Sequence, residues 1–253
     1  MTQASLSKFE ISRLNERDRS VQSACYADVA HEYYDHILHP TCRNFREASV
    51  LLFREYLTLI SSPRSVLEVG CGRSIVPEVF CDGHWTSLSI SLVDESPVML
   101  QHSDEDLLKI SRVFYSDVSR FQIDQGFDLA ISSLGDPYNS VESWAQVASH
   151  VNQNGYLFYS TPTLEWAMRF RIGEEGTKVH VSRFLDRDGR IHDLPSIVIG
   201  LEQQLSLFAS VGFHLKKTSD FYVEDLSSPV SQKLVAAGQN HVPIVRGYLL
   251  QKR

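Results

Sequence analysis

No stretch of this sequence approaches the roughly 18 consecutive apolar residues of a membrane-crossing helix, so no span and no membrane partner are predicted. The opening residues (Thr2, Gln3, Ser5, Ser7, Lys8) lack the apolar centre of a secretion signal. The four cysteines, Cys25, Cys42, Cys71 and Cys81, show neither Cys-x-x-Cys nor any metal-ligand spacing. That excludes a recognisable zinc framework and predicts reduced thiols in a cytoplasmic protein. An excess of positive charge is also missing. A net charge of −7 argues against nucleic acid as a partner, since gripping a phosphate backbone takes clustered Lys and Arg. The one basic strip, Met168-Arg169-Phe170-Arg171, reads as solvated surface. What remains is an ordinary globular composition, 43% hydrophobic and 22% charged, long enough for one sizeable α/β domain with an elaborated cover.

The chain is organised around Ser65-Val66-Leu67-Glu68-Val69-Gly70-Cys71-Gly72-Arg73-Ser74. A short β-branched run reads as a strand buried on both faces. Glycine directly after it allows a sharp turn, or lets a ligand press on bare backbone. Pro77-Glu78-Val79-Phe80 then opens a helix. Glu68 is the odd residue, because a carboxylate inside a buried apolar run is costly unless something pairs with it. It predicts a ligand carrying donors or positive charge.

Val-Leu-Glu-Val-Gly-Cys-Gly resembles the first motif of class I S-adenosylmethionine-dependent methyltransferases of the small-molecule type, with Ser74 where a third glycine usually stands. Gly-x-Gly also suits a nicotinamide-binding fold. Glu68 separates the two, because a carboxylate before the turn repels a pyrophosphate and suits an amino group and a sulfonium. The resemblance implies a Rossmann-like, doubly wound α/β sheet of about seven strands, mostly parallel with an antiparallel C-terminal strand. N-terminal helices and an inserted β-hairpin lid complete it. Residues 1–62 are expected as a helical cap on a methyltransferase domain over 63–253, with the lid at about 162–199.

Along the chain, residues 1 to about 20 predict an irregular start. Helical spacing begins at Val21 (Ala24, Ala27, Ala30, Tyr34), breaks at Pro40 and resumes over Ala48, Leu51, Leu52, Tyr56 and Leu59. Strands are expected over Ser87–Val93, Ile110–Tyr115, Phe127–Leu134 and Tyr156–Ser160, with a helix over Val141–Val151 that Asn152-Gln153-Asn154-Gly155 ends. Asp186-Arg187-Asp188-Gly189 between two alternating runs signals a hairpin that carries His180 and His192. A helix over Glu202–Val211 stops at Gly212. Phe213–Val223 and Val242–Gln251 then pair antiparallel, with residues 225–241 as a mobile-looking connection.

The resemblance assigns S-adenosyl-L-methionine as cofactor. Glu68, Gly70, Cys71 and Gly72 would hold its amino-acid end, Asp94 (with Glu95 beside it) the ribose, and Asp117 and Val118 the adenine. Ser133 and Leu134 would border the donor, and Tyr33 would cover it. Asp136, Tyr138 and Tyr34 are the candidates for orienting the nucleophile. His36, His39, Arg46, His180 and His192 are the candidate substrate contacts, and no metal is assigned. Plainer readings stand beside these: the tyrosines pack a helix on the sheet, Asp117 and Asp136 start turns, and the histidines are structural. The expected activity is in-line methyl transfer to an O or N nucleophile of a small organic metabolite in an enclosed pocket, by a monomer or homodimer. A nicotinamide-dependent oxidoreductase and a non-catalytic donor-binding module are the competing classes.

Overall fold

The computed structural model describes residues 21–81, 83–170 and 178–253. The irregular start expected over residues 1–20 and the end of the basic strip at Arg171 fall outside them. So do the side chains of residues 21–23 and 170–180.

Short apolar runs become strands, those at the centre of the main sheet buried on both faces, and amphipathic runs become the helices that cover them. In chain order these are β1 (Val21–Ser23), α1 (Tyr26–Tyr33), α2 (Pro40–Leu57), β2 (Ser65–Val69), α3 (Val76–Val79), β3 (Ser89–Asp94), α4 (Pro97–Leu100), α5 (Glu105–Ile110), β4 (Arg112–Tyr115) and β5 (Phe127–Ser132). There follow α6 (Val141–His150), β6 (Val151–Pro162), α7 (Leu164–Phe170), β7 (Lys178–Leu185), β8 (Ile191–Ile199), α8 (Leu201–Ser210), β9 (Phe213–Phe221), α9 (Gln232–Gln239) and β10 (Val245–Lys252). The main sheet has seven strands in the order β4-β3-β2-β5-β6-β10-β9. β2 through β6 pair in parallel, while β10 runs antiparallel between β6 and β9. This is the expected doubly wound sheet. Among the described residues no helix is long and apolar enough to cross a membrane.

Strand alternation decides which helix each side chain meets. In β2, Val66 joins the core under α2, which supplies Phe45, Phe53 and Tyr56. Leu67 and Val69 join the opposite core, with Trp144 and Val147 of α6 and Phe208 of α8. By the same period Glu68 shares the α2 side with Val66. The expected hairpin is present as β7 and β8, and with β1 it makes a separate three-stranded sheet.

Three expectations need correction. The helix placed from Val21 starts at Tyr26, because Val21–Ser23 pair instead with Ile191–Asp193 of the hairpin. Asn152–Gly155 do not separate helix from strand; β6 begins at Val151, and the β5–β6 register shifts there to absorb Asn154 at φ 64°. Asn tolerates that left-handed conformation better than most residues. The connection over 225–241 carries α9, which is anchored where Ser231 N–H donates to Asn44 Oδ1 at 2.9 Å and Thr41 donates to Ser231 at 2.9 Å.

Trp144 joins these layers. It has no exposed surface, sits 5.0 Å from Tyr159 and 5.3 Å from Phe208, and donates from Nε1 to Asn139 at 2.8 Å. Trp144→Ala should lower unfolding free energy by about 3–5 kcal/mol in urea titration. A loss below about 1 kcal/mol would show that the α6 face does not hold the sheet.

Candidate active site

β2 delivers its chain into a turn that only glycine fits. Gly70 and Gly72 lie at φ 57° and 45°. A Cβ on Gly70 would fall 2.2 Å from the Tyr138 ring, and one on Gly72 would fall 2.2 Å from the Tyr34 hydroxyl. The turn is tied from below by Glu68. Its Oε1 accepts the Ile75 N–H at 2.9 Å and its Oε2 accepts the Ser74 hydroxyl. The turn is tied from the side by Arg46, which donates to the carbonyls of Arg73 and Ser74 at 2.7 Å each and to Glu78 at 2.8 Å. Across the top, Gly72 N–H donates to Asp94 Oδ2 at 2.7 Å, and Arg73 N–H donates to the Tyr34 hydroxyl at 2.7 Å. Glu68 is 1% exposed, and burial pushes its pKa up to about 7 against the opposing pull of those hydrogen bonds.

Beyond the strand C-termini lies a cavity of about 1050 Å³, where ligands of open α/β sheets bind. Its wall brings together Gly70, Cys71, Gly72, Asp94, Glu95, Asp117, Val118, Ser133 and Leu134, with Tyr33 above them. Asp94 also accepts the Ser96 N–H at 2.8 Å, and burial raises its pKa. Burial raises that of Glu95 as well, helped by the charges of Asp117 and Asp94. Asp117 caps its own turn by accepting the Ser119 N–H at 2.7 Å, which with the Ser119 hydroxyl lowers its pKa. Its turn-forming and wall-lining readings therefore hold together. Leu134 sits at φ 53°, held by its N–H on the Ser160 hydroxyl at 2.9 Å. The loop that starts there curves back to Asp136.

Other sequence candidates land differently. Glu68 is not part of the cavity wall, and its carboxylate is spent on the turn's own groups. Tyr138 lines the wall, but its hydroxyl donates to the Val69 carbonyl at 2.7 Å and meets Ser132 at 2.9 Å; burial pushes its pKa well up. It fills the space over Gly70 and is not placed as a base. Tyr34 does the same over Gly72, with its pKa also raised by burial. Arg46 reaches the wall with its guanidinium committed to the turn and is not a substrate contact. His192 is not in the wall; it pairs with Asp186 at 2.9 Å inside the hairpin turn. In the ladder His192 stands opposite Phe184, while His180 falls at the register shift between Val179 and Val181. The side chain of His180 is outside the described residues.

Asp136 and the loop histidines do line the cavity. Asp136 is 3% exposed and accepts the hydroxyl of Ser196, on β8. His39 caps α2 ahead of Pro40, with its ring 4.2 Å from Phe184 and its Nε2 3.9 Å from Glu32, beyond hydrogen-bond distance. Burial holds its pKa down. His36 is lowered by burial and by Arg73, Arg43 and Arg46. Three residues escaped the sequence reading. Ser196 and Phe184 sit on the hairpin with no local signal. Glu32, fully buried, accepts the Arg187 backbone N–H at 3.1 Å and its Nε at 3.2 Å, fastening the hairpin tip to α1. An acid beside Val29 and Ala30 was the available sign. Among the described residues no group of three or more His, Cys, Asp or Glu is placed to hold a metal.

The Glu68 geometry carries a pH consequence. A carboxyl whose folded pKa is raised from 4.5 to about 7 favours folding below its unfolded value and loses that contribution as pH rises through about 7. Wild-type stability should therefore fall by up to roughly 3 kcal/mol from this group between pH 4.5 and pH 7. Glu68→Gln should flatten that segment of the pH–stability curve measured by chemical denaturation. An unchanged slope would show that Glu68 is ionised throughout.

No protein-family model matches the sequence. No curated protein matches it either. Solved structures do match its fold. A S-adenosylmethionine-dependent methyltransferase from Clostridium acetobutylicum superposes with TM-score 0.60 at 14% identity, over 90% of this chain and 98% of that one. The N-methyltransferase NodS from Bradyrhizobium japonicum, in complex with S-adenosyl-L-homocysteine, gives 0.57 at 12% identity, over 90% and 97%. The glycopeptide N-methyltransferase MtfA, complexed with S-adenosyl-L-methionine, gives 0.53 at 13% identity, over 82% and 95%. The chain has the fold of the S-adenosylmethionine-dependent methyltransferases.

Proposed function

We propose that this protein is a S-adenosyl-L-methionine-dependent methyltransferase that methylates an oxygen or nitrogen nucleophile of a small organic molecule in an enclosed cavity. The observation that carries this reading is the convergence of a bare glycine turn and three acids, Asp94, Glu95 and Asp117, on one side of one cavity. The backbone of Gly70 to Gly72 suits the amino-acid end of the donor, Asp94 its ribose, and Asp117 with Val118 its adenine. Each acid offers acceptors to hydroxyl or amino donors, and together they would repel the diphosphate of a dinucleotide. Behind them Glu68 braces the turn through Ser74 and Ile75 without touching the ligand. Bound there, the donor supplies an electrophilic methyl carbon on a sulfonium.

The residues of this chain then have two tasks. They must hold a nucleophile in line with that carbon, which is where much of the rate gain in such displacements arises. They must also accept a proton if the nucleophile arrives protonated. We assign both to Asp136, a reading supported by its burial, its position in the cavity wall and its hydrogen bond from Ser196. At about 1050 Å³ the cavity is at the upper end of small-molecule sites and has room for a second ligand beside the donor. A cover made by α1 and the hairpin supports a small acceptor over a polymer.

Calorimetry with S-adenosylmethionine, S-adenosylhomocysteine and NADH tests the reading. Both nucleosides should bind and NADH should not. Asp94→Asn should weaken the nucleosides by about tenfold to a hundredfold, the range of a hydrogen bond to a charged group. Tighter binding of NADH than of either nucleoside would refute the assignment.

A further inference from the structure

From the glycine turn onto α1 and the hairpin, the cavity wall is made of rings in contact. Tyr34, whose hydroxyl fills the space over Gly72, meets Tyr33 edge-on at 5.1 Å. Tyr33 stacks on Phe184 at 5.8 Å with 22° between the rings, and Tyr26 meets Tyr33 edge-on at 5.5 Å. His39 extends the row, 4.2 Å from Phe184. All five rings line the cavity. Behind them Val29, Leu194 and Phe184 form a small buried core on which Tyr26 and Tyr33 pack. That core fixes the panel, yet Tyr26, Tyr33 and His39 stay half-buried. Rings that line a cavity and are only half covered keep apolar surface that a ligand can take out of water.

The charged groups that the hairpin brings to this wall are already matched. Arg183 donates to Asp193 at 3.0 Å, and Arg187 donates to Glu32 at 3.2 Å. Asp186 accepts the Arg190 N–H at 2.7 Å and meets His192 Nε2 at 2.9 Å. Burial holds the His39 pKa down, which leaves its ring neutral near pH 7. A charge laid against the panel would lose water and find the hairpin's charges taken. A flat uncharged ring instead gains stacked and edge-on contacts with the aromatic faces.

We infer that the acceptor carries an uncharged aromatic ring, and that this ring packs on the panel of Tyr26, Tyr33, Phe184 and His39. This rests on the methyltransferase reading and names the acceptor's class. The panel is continuous, through Tyr34, with the glycine turn assigned to the donor, so its occupant lies beside the donor. Phe184 and Tyr26 set specificity by the faces they offer and take no part in the chemistry.

The test uses the full chain saturated with S-adenosylhomocysteine and four alcohols: 2-phenylethanol, 2-cyclohexylethanol, 4-(2-hydroxyethyl)benzoate and 4-(2-hydroxyethyl)benzylamine. The second lacks the flat ring, and the last two put an anion or a cation on it. Binding is read by ligand-observed NMR titration. 2-Phenylethanol should bind about fivefold or more tightly than each of the others, the range of one or two ring contacts. Phe184→Leu keeps an apolar side chain but removes the ring face. It should cut the advantage over 2-cyclohexylethanol to about twofold or less, with S-adenosylhomocysteine affinity unchanged. If Phe184→Leu loses the nucleoside as well, Tyr26→Leu is read in its place, with the same narrowing expected. A smaller advantage of 2-phenylethanol in the wild type overturns the inference, as does absence of its binding or an advantage that survives in the variant. Tighter binding of either charged alcohol overturns it too, and the benzoate would point to Arg169, exposed at the cavity wall. In each of those cases retained S-adenosylhomocysteine binding leaves the methyltransferase reading standing; loss of it in the wild type removes both.

Discussion

A carboxylate with almost no access to water, Glu68, holds the turn on which the binding site is built. Left alone inside a sheet it would be strongly unfavourable. Here it is satisfied by the Ser74 hydroxyl and the Ile75 N–H, the first groups of the segment that leads into α3. That pairing sets the path of Gly70 to Arg73, and the path in turn aims the Gly72 N–H at Asp94. Arg46 closes the same turn from α2, so the glycine loop, the acid that ends β3 and helix α2 share one hydrogen-bond network. A site whose ligand groups are fixed by such supporting contacts is preorganised before any ligand arrives.

The wall opposite these acids is made differently. Its wall draws on α1, the loop ahead of α2, the residues after β5 and a hairpin inserted between β6 and α8. Long-range contacts hold these together: Glu32 with Arg187 at the hairpin tip, Ser196 with Asp136 and Asn139 with the Ile197 carbonyl at its return strand. The parallel ladder of β1 on β8 adds a fourth tie. The two sides thus depend on different physics, with backbone geometry governing the floor and side-chain packing governing the wall.

That difference explains what could be read from the chain alone. Glu68, Gly70, Gly72, Asp94 and Asp117 follow local patterns, an apolar strand run ending in glycine or an acid; all but Glu68, which lies behind the turn, meet in one cavity. The Asp186–Gly189 turn and the stop at Gly212 were legible for the same reason, since turn chemistry is written within a few residues. Val21–Ser23 looked helical because nothing nearby shows that their partners lie in β8. Arg46 looked like a substrate contact, and its true partners are carbonyls of a turn far along the chain. Tyr138 and Tyr34 were correctly placed at the cavity, yet their hydroxyls serve the backbone beside the glycines whose empty space they occupy. Ser196 carried no mark at all, because its meaning comes wholly from a loop that packs against it.

The attachment of the hairpin has a consequence for how such a chain can change. β7 and β8 form one contiguous stretch, tied to the rest by the short β1–β8 ladder and by side chains such as Glu32, Asp136 and Asn139. The sheet that shapes the floor does not thread through them. Exchanging the hairpin's residues that line the cavity, or the whole segment between its anchors, would reshape that wall without disturbing the glycine turn. The segment is in that sense a cassette, and a graft keeping Glu32, Asp136 and Asn139 supplied with partners is where diversification of this scaffold should begin.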